Sequence, residues 1–220
     1  MNPEHKPLRS YGRIKSRALK PRQAGLIDEL LPHLAIDLEA PLKDAPPRVV
    51  LEIGFGGGEH LVAQAGRAAE TLFLGAEPFV NGVGSCLRHI EESGVTNVRL
   101  HHGDARDLVA ALPDASVDLV YILFPDPWPK TRHWKRRLIQ ADFLVELARV
   151  LKPGGQARFA TDWANYAAWT LDIFLQSPSF TWNAERADDW RGAWEGHVTT
   201  RYEQKRLGDC APVFLVFTRR

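Results

Sequence analysis

From Arg48 onward, short apolar runs alternate with amphipathic stretches. The runs at 48–53, 72–76, 97–101, 117–124 and 156–160 have the length and residue content of buried strands. Between them the spacing predicts a helix ending near Arg67, others over 79–92, 137–151 and 164–175, and a short one around 107–111. The 137–151 stretch carries apolar residues at 138, 139, 143, 144, 147, 148 and 151, and Lys152-Pro153-Gly154-Gly155 is expected to stop it. Such alternation predicts an α/β fold: a doubly wound, mostly parallel, seven-stranded Rossmann-like sheet with ligands at the carboxyl ends of its strands. The runs at 180–185 and 213–218 read as a final strand pair, joined by a polar, Trp-rich stretch, and predict an antiparallel edge. Upstream, 25–39 has helical spacing interrupted at Pro32. Residues 1–24 show no strong apolar period and are punctuated by Pro3, Pro7, Gly12 and Pro21. The expected division is a basic arm over 1–24 and one domain over 25–220.

Charge changes this picture more than composition does. At 45% apolar and 25% charged, the 220 residues suit a soluble globular chain with a full core. No apolar run approaches the ~20 residues that span a bilayer, so no membrane role is expected. Two cysteines, Cys86 and Cys210, form no metal spacing or disulfide framework, and the eight histidines show no ligand spacing; the expectation is no metal and a cytoplasmic location. Cys86 falls in a helical pattern and reads as core. The net charge of +1 hides segregation: residues 6–22 hold Lys6, Arg9, Arg13, Lys15, Arg17, Lys20 and Arg22 and no acid. That run reads either as a solvated tail or as a contact for a polyanion. Monomer and homodimer are both compatible with the sequence.

The residues that end the strands suggest a ligand. Glu52-Ile53-Gly54-Phe55-Gly56-Gly57-Gly58 is a strand end followed by a glycine turn, and glycines there let a ligand approach the backbone. Nicotinamide- and flavin-binding folds use similar turns. Glu52, however, stands two residues before the first glycine, where it would repel a pyrophosphate and suit a cationic ligand bearing an amino group. Glu77 ends the second strand and is placed to accept from ribose hydroxyls. Asp104 ends the third and is placed to accept from an adenine amino group. Three acids at three consecutive strand ends favour S-adenosylmethionine over a dinucleotide, with Gly54 and Gly56 beside it.

The fourth strand runs into Phe124-Pro125-Asp126-Pro127-Trp128-Pro129, where three prolines fix φ and turn the chain out of the sheet. Asp126 and Trp128 therefore sit on a stiff segment at a strand's carboxyl end. Lys130, Arg132, His133, Trp134, Lys135, Arg136 and Arg137 follow, a cationic cluster with an aromatic. Trp128 reads as a base-stacking residue or as an aromatic packed at the core rim.

Glu52-x-Gly-x-Gly, Gly75-Ala76-Glu77, Gly103-Asp104-Ala105, Phe124-Pro125-Asp126-Pro127-Trp128-Pro129-Lys130, Thr161-Asp162-Trp163 and Thr200-Arg201-Tyr202-Glu203 together resemble the bacterial tRNA (guanine-N7-)-methyltransferases. The resemblance runs from about Arg9 to the C-terminus, and the Phe-Pro-Asp-Pro-Trp-Pro-Lys segment is its most specific part. It implies methyl transfer from S-adenosylmethionine to N7 of the variable-loop guanine of tRNA. By motif, Glu52, Gly54, Gly56, Glu77 and Asp104 would bind S-adenosylmethionine, and Asp126 would lie at the reacting centre. Lys130, Asp162, Thr200, Arg201, Tyr202 and Glu203 would contact the substrate, and residues 132–137 the RNA. Asp126 fits two roles, accepting from the guanine or holding the amino group of S-adenosylmethionine. A methyltransferase acting on another RNA or a small molecule and a non-catalytic RNA-binding relative are the alternatives. The first, if its substrate is small, leaves the cations unexplained, and the second leaves the acids unexplained.

Overall fold

The computed structural model of the protein describes residues 11–12 and 18–220, so most of the arm expected at 1–24 lies outside them. The chain enters through α1 (Pro21–Glu29) and α2 (Leu31–Leu34) and then alternates: β1 (Arg48–Ile53), α3 (Glu59–Arg67), β2 (Thr71–Ala76), α4 (Val80–Ser93), β3 (Val98–His101), α5 (Ala105–Ala111) and β4 (Val117–Leu123). A 3-10 turn over Thr131–Arg136 leads to α6 (Ala141–Val150), β5 (Leu151–Thr161), α7 (Ala164–Gln176) and β6 (Phe180–Trp182). Two short helices, α8 (Asp188–Arg191) and α9 (Arg201–Gln204), precede β7 (Val213–Arg219).

The seven strands form one sheet in the order β3-β2-β1-β4-β5-β7-β6. The first five in that order pair in parallel, and β7 runs antiparallel to both β5 and β6. Successive side chains on a strand face opposite ways, so both faces must be apolar. In β1, Val49, Leu51 and Ile53 enter the core beneath α5, α6 and α7, while Val50 enters the core beneath α1, α3 and α4. The expected mostly parallel, doubly wound sheet is the one observed.

Four boundaries differ from the periodic reading, each for a local reason. The first helix starts at Pro21, where proline suits an N-terminal position, and the interruption expected at Pro32 falls at Leu30, which leaves Pro32 in the first turn of a second helix. Helix α6 begins at Ala141, not 137, because Gln140 is extended (φ −135°, ψ 160°) and its amide donates to the Trp134 and Arg137 carbonyls at 2.8 and 3.2 Å. No loop follows α6: Leu151 already pairs with Val117, so Lys152 to Gly155 belong to β5. The antiparallel strand is internal, because β7 inserts between β5 and β6 and leaves β6 as a three-residue edge.

Asn97 fastens the turn before β2. Its side-chain amide donates to the carbonyls of Ala65, Ala68 and Thr71 at 3.1, 3.0 and 2.9 Å. Replacing it leaves those acceptors without that donor, a loss of about 1–3 kcal/mol. Asn97→Ala is therefore expected to lower the urea midpoint with the slope unchanged. An unmoved midpoint would show that water replaces the amide at no cost.

Candidate active site

Parallel pairing sets Ile53, Ala76, His101, Leu123 and Thr161, the last residues of β1, β2, β3, β4 and β5, along one rim of the sheet. Every acid singled out in the sequence lies at that rim. Glu52 is 2% exposed, and its Oε2 lies 2.7 Å from Nδ1 of His60, itself 1% exposed. Glu77 is 7% exposed and accepts the backbone N–H groups of Gly56 at 2.8 Å and Phe79 at 2.9 Å. Burial pushes its carboxyl pKa up; those two N–H groups oppose the rise, and the nearby Asp126 and Glu52 charges add to it. Asp104 caps α5 through the Arg106 N–H at 3.0 Å and pairs with the Arg106 guanidinium at 3.2 Å.

The turn between β1 and α3 bends toward open space. Gly54 and Gly56 adopt φ of 73° and 55°, and a Cβ on either would meet nothing within 4 Å. Backbone is thus bare beside the three acids. Amino, ribose and adenine groups would meet Glu52, Glu77 and Asp104, so the residues present fit S-adenosylmethionine. Cavity volume alone does not find this rim. Open cavities of about 490 and 410 Å³ lie at the opposite end of the sheet, against Thr71 and Asn97 and against Arg48 and Lys152.

The segment after β4 is held in an uncommon backbone shape. Phe124 and Trp128 have φ of 49° and 43°, a region aromatic residues seldom occupy and which costs of order 1–3 kcal/mol each. The Phe124 N–H donates to the Ala160 carbonyl at 2.7 Å, tying the segment to β5. Between them Asp126 is exposed, close enough to act electrostatically on Glu77, Tyr166 and Tyr202.

Asp162, just past β5, is 3% exposed. Its Oδ2 accepts the Gly208 N–H at 2.8 Å, and its buried Oδ1 has no donor among the described residues.

The expected cationic cluster divides in two. Lys130, Arg132 and Lys135 are exposed, and His133, Trp134 and Arg136 are half-buried. Desolvation first, then the cations Arg136, Arg132, Lys130 and Lys135, hold the His133 pKa below its usual value. The Arg136 guanidinium lies 5.0 Å from the ring centres of both Trp128 and Tyr11, which joins the arm to the proline-rich segment. Trp128 is thus half-buried in an aromatic and cationic cluster, with His133 edge-on at 5.8 Å. Arg137 does not belong to the RNA-facing set expected over 132–137: it is 1% exposed and turned into the protein.

The C-terminal segment closes over the same rim. Thr200 and Glu203 cap α9 reciprocally: the Glu203 N–H donates to Thr200 Oγ1 at 3.2 Å, and the Thr200 N–H donates to the Glu203 carboxylate at 3.3 Å. That carboxylate also meets His197 Nε2 at 2.9 Å. Arg201 is exposed. The Tyr202 ring centre lies 5.7 Å from that of Phe124. Burial pushes the Tyr202 pKa up; contact with Trp163 lowers it, and the Asp162 and Asp126 charges raise it further.

The chain matches the family described as "Putative methyltransferase" over residues 46–214. A tRNA (guanine-N(7)-)-methyltransferase of Caulobacter vibrioides (strain NA1000 / CB15N) is 60% identical over 219 residues, covering 98% of this chain and 96% of that protein. One from Rhodopseudomonas palustris (strain BisB5) is 50% identical over 203 residues, covering 89% and 79%. The chain belongs to this methyltransferase family. Solved structures share the fold at lower identity. The 16S rRNA (adenine(1408)-N(1))-methyltransferase from Catenulisporales acidiphilia aligns with a TM-score of 0.53 at 17% identity, over 84% of this chain and 93% of that one. An rRNA methylase from Streptococcus thermophilus aligns with a TM-score of 0.53 at 10% identity, over 92% and 99%.

Several residues of this candidate site escape sequence reasoning. His60 and His197, with ring centres 5.8 Å apart, stand between Glu52 and Glu203. The Gly196 carbonyl accepts from both Gln64 and Arg67 at 2.7 Å, which ties the C-terminal segment to α3. No spacing signals these contacts; only the T-x-x-E capping pattern at 200–203 was there to be read.

Gly82 on α4 is another. A Cβ there would lie 2.5 Å from the Gly56 carbonyl oxygen. Gly82→Ala must push α4 off the turn, an overpacking of about 1–3 kcal/mol. The expected result by calorimetry is a roughly tenfold or greater rise in the Kd for S-adenosylmethionine. Parental affinity would mean that the turn shape does not control the pocket.

Proposed function

We propose that the protein transfers a methyl group from S-adenosylmethionine to N7 of a guanine in tRNA, in its variable loop, and works in the cytoplasm. The observation that carries this reading is the set of carboxylates at one rim, Glu52, Glu77, Asp104, Asp126 and Asp162, with exposed cations on the adjoining turn. Family membership names the chemistry, and the charge layout suits it. No helix among the described residues is long and apolar enough to cross a membrane.

Bound S-adenosylmethionine supplies an electrophilic methyl group on a positively charged sulfur. Guanine N7 carries its lone pair in the neutral base, so no side chain has to remove a proton. The residues of this chain align and stabilise instead. Positive charge appears on the purine as N7 is methylated, and carboxylates fixed at the rim favour that change. Asp126, exposed on its stiff segment, is the acceptor for the guanine edge or for the amino group of the cosubstrate. The unpaired Oδ1 of Asp162 is a second acceptor for a base N–H, because a buried carboxylate oxygen gains most from a donor. Tyr202, whose ring lies against Phe124, is the stacking surface. Glu203 serves by shaping α9, since His197 and the Thr200 N–H already engage its carboxylate.

Lys130, Arg132 and Lys135, with Arg136 behind them, are the track for RNA phosphates, and the basic arm extends it. Tyr11 against Arg136 supports that continuity, since the arm's cations follow directly in sequence.

Incubation with labelled S-adenosylmethionine and unmodified tRNA, followed by nucleoside analysis, is expected to place the label in N7-methylguanosine. Label in no RNA nucleoside would sink the proposal. Asp126→Ala is expected to abolish transfer while calorimetry still detects S-adenosylmethionine binding. Affinity falling in parallel with activity would assign Asp126 to the cosubstrate instead.

Each phosphate neutralised adds about 0.7–0.9 to the log–log salt slope of RNA binding. Deleting residues 1–17, which leaves α1 whole, is expected to flatten that slope and spare S-adenosylmethionine affinity. An unchanged slope would remove the arm from the RNA contact.

A further inference from the structure

The guanidinium of Arg137 is locked inside the protein, directly behind the segment that presents Asp126. Its Nε donates to the Pro127 carbonyl at 3.0 Å, one residue beyond Asp126. Its Nη2 donates to Asn165 Oδ1 at 2.6 Å, on the first turn of α7. Three rings enclose the same group, with centres 5.0 Å (Trp134), 4.8 Å (Tyr166) and 5.3 Å (Trp169) from Cζ. The Trp169 indole N–H in turn donates to the Ile139 carbonyl at 2.8 Å, so the chain that follows the 3-10 turn is pinned to α7 as well.

A buried cation is costly unless it is paired or enclosed by groups that favour charge. Here two carbonyl-type oxygens and three aromatic rings take that role. The arrangement does nothing for RNA contact, because the side chain is 1% exposed. What it does fix is the Pro127 carbonyl, in a segment whose Phe124 and Trp128 both stand at positive φ. Such backbone persists only where its surroundings over-determine it. The Phe124–Ala160 hydrogen bond secures the entry to the segment, and Arg137 secures its middle.

We infer that Arg137 is a positioning residue for methyl transfer, an internal brace that holds the Asp126 segment against α7 at the height of the rim. The inference rests on the reading of Asp126 as an active-site residue. Lysine would not substitute, since its compact ammonium lacks the planar fork whose Nε and Nη2 reach Pro127 and Asn165 while the group fills the space between three rings.

The test is steady-state kinetics on Arg137→Met, which keeps apolar bulk in the box, and on Asn165→Ala, an exposed helix position that removes one of the two clamps without threatening the fold. Asp126→Ala and the parent protein are run beside them. With both substrates saturating, kcat is expected to fall roughly tenfold to a hundredfold in Arg137→Met. In Asn165→Ala it is expected to fall by roughly fivefold, the loss of about one hydrogen bond. The Kd for S-adenosylmethionine and the salt slope of tRNA binding stay at parental values in both, which a general loss of structure would not allow. Parental kcat in both variants overturns the brace. So does a flattened salt slope with kcat kept in Arg137→Met, which would make Arg137 an RNA contact. Should Arg137→Met fail to fold, Asn165→Ala alone decides. Parental transfer by Asp126→Ala would overturn the underlying reading of the site, whereas loss of transfer there with full kcat in the other two overturns the brace alone.

Discussion

Parallel pairing of β3, β2, β1, β4 and β5 puts the ends of five strands on one rim, and the chemistry of this protein follows from what each strand ends in. A carboxylate at a buried strand end loses hydration and has to find partners. Glu52 finds His60, Glu77 finds the N–H groups of Gly56 and Phe79, and Asp104 finds Arg106 and its backbone. None of these partners uses up a carboxylate, which has about four lone-pair sites. The acids are therefore held in place by the protein with accepting capacity left for a ligand. For Glu77 the hold works in both directions: its hydrogen bond to Gly56 also fixes the turn that must stay bare, and Gly82 gives that turn room from behind.

A second constraint couples this pocket to the far end of the sequence. The C-terminal segment crosses the rim on its way to β7, and β7 has to insert beside β5 to complete the sheet. On that path the Gly196 carbonyl is gripped by Gln64 and Arg67 of α3, the helix that starts at the glycine turn. The ring of His197 lies against His60, so Glu203 and Glu52 each face one histidine of a neighbouring pair. Glu52 and Glu203 thus share one packed unit, although about 150 residues of chain separate them.

The sheet was legible in the sequence because burial on both faces leaves strands as apolar runs and helices as stripes, and both periods survive without knowledge of the partner. The acids were legible because each falls at the end of such a run. What failed to show was everything decided by a distant partner. Gln140 bonds back to the 3-10 turn and delays the helix to Ala141, and Leu151 pairs with Val117, so the Lys-Pro-Gly-Gly stretch that stops the helix as expected is already strand β5. Arg137 is the sharpest case. In sequence it is the last member of a cationic run, indistinguishable from Arg136, and only the rings of Trp134, Tyr166 and Trp169 make it an interior residue. His197 and Gly196 carry no periodic signal because their partners lie on α3, α9 and β7.

Methylation at N7 makes a cation without releasing a proton from the base, and phosphates bring anions to the same place. One surface cannot favour both unless its charges are segregated. The net charge of +1 conceals such a segregation: carboxylates line the rim, and Lys130, Arg132 and Lys135 stand exposed on the adjoining turn. The boundary between the two fields is the segment of three prolines that carries Asp126. Free movement of that segment would shift the Asp126 carboxylate relative to both fields. Rigidity is therefore an electrostatic requirement as well as a geometric one. It is met by prolines along the segment, by the Phe124–Ala160 hydrogen bond at its entry and by a buried guanidinium behind it.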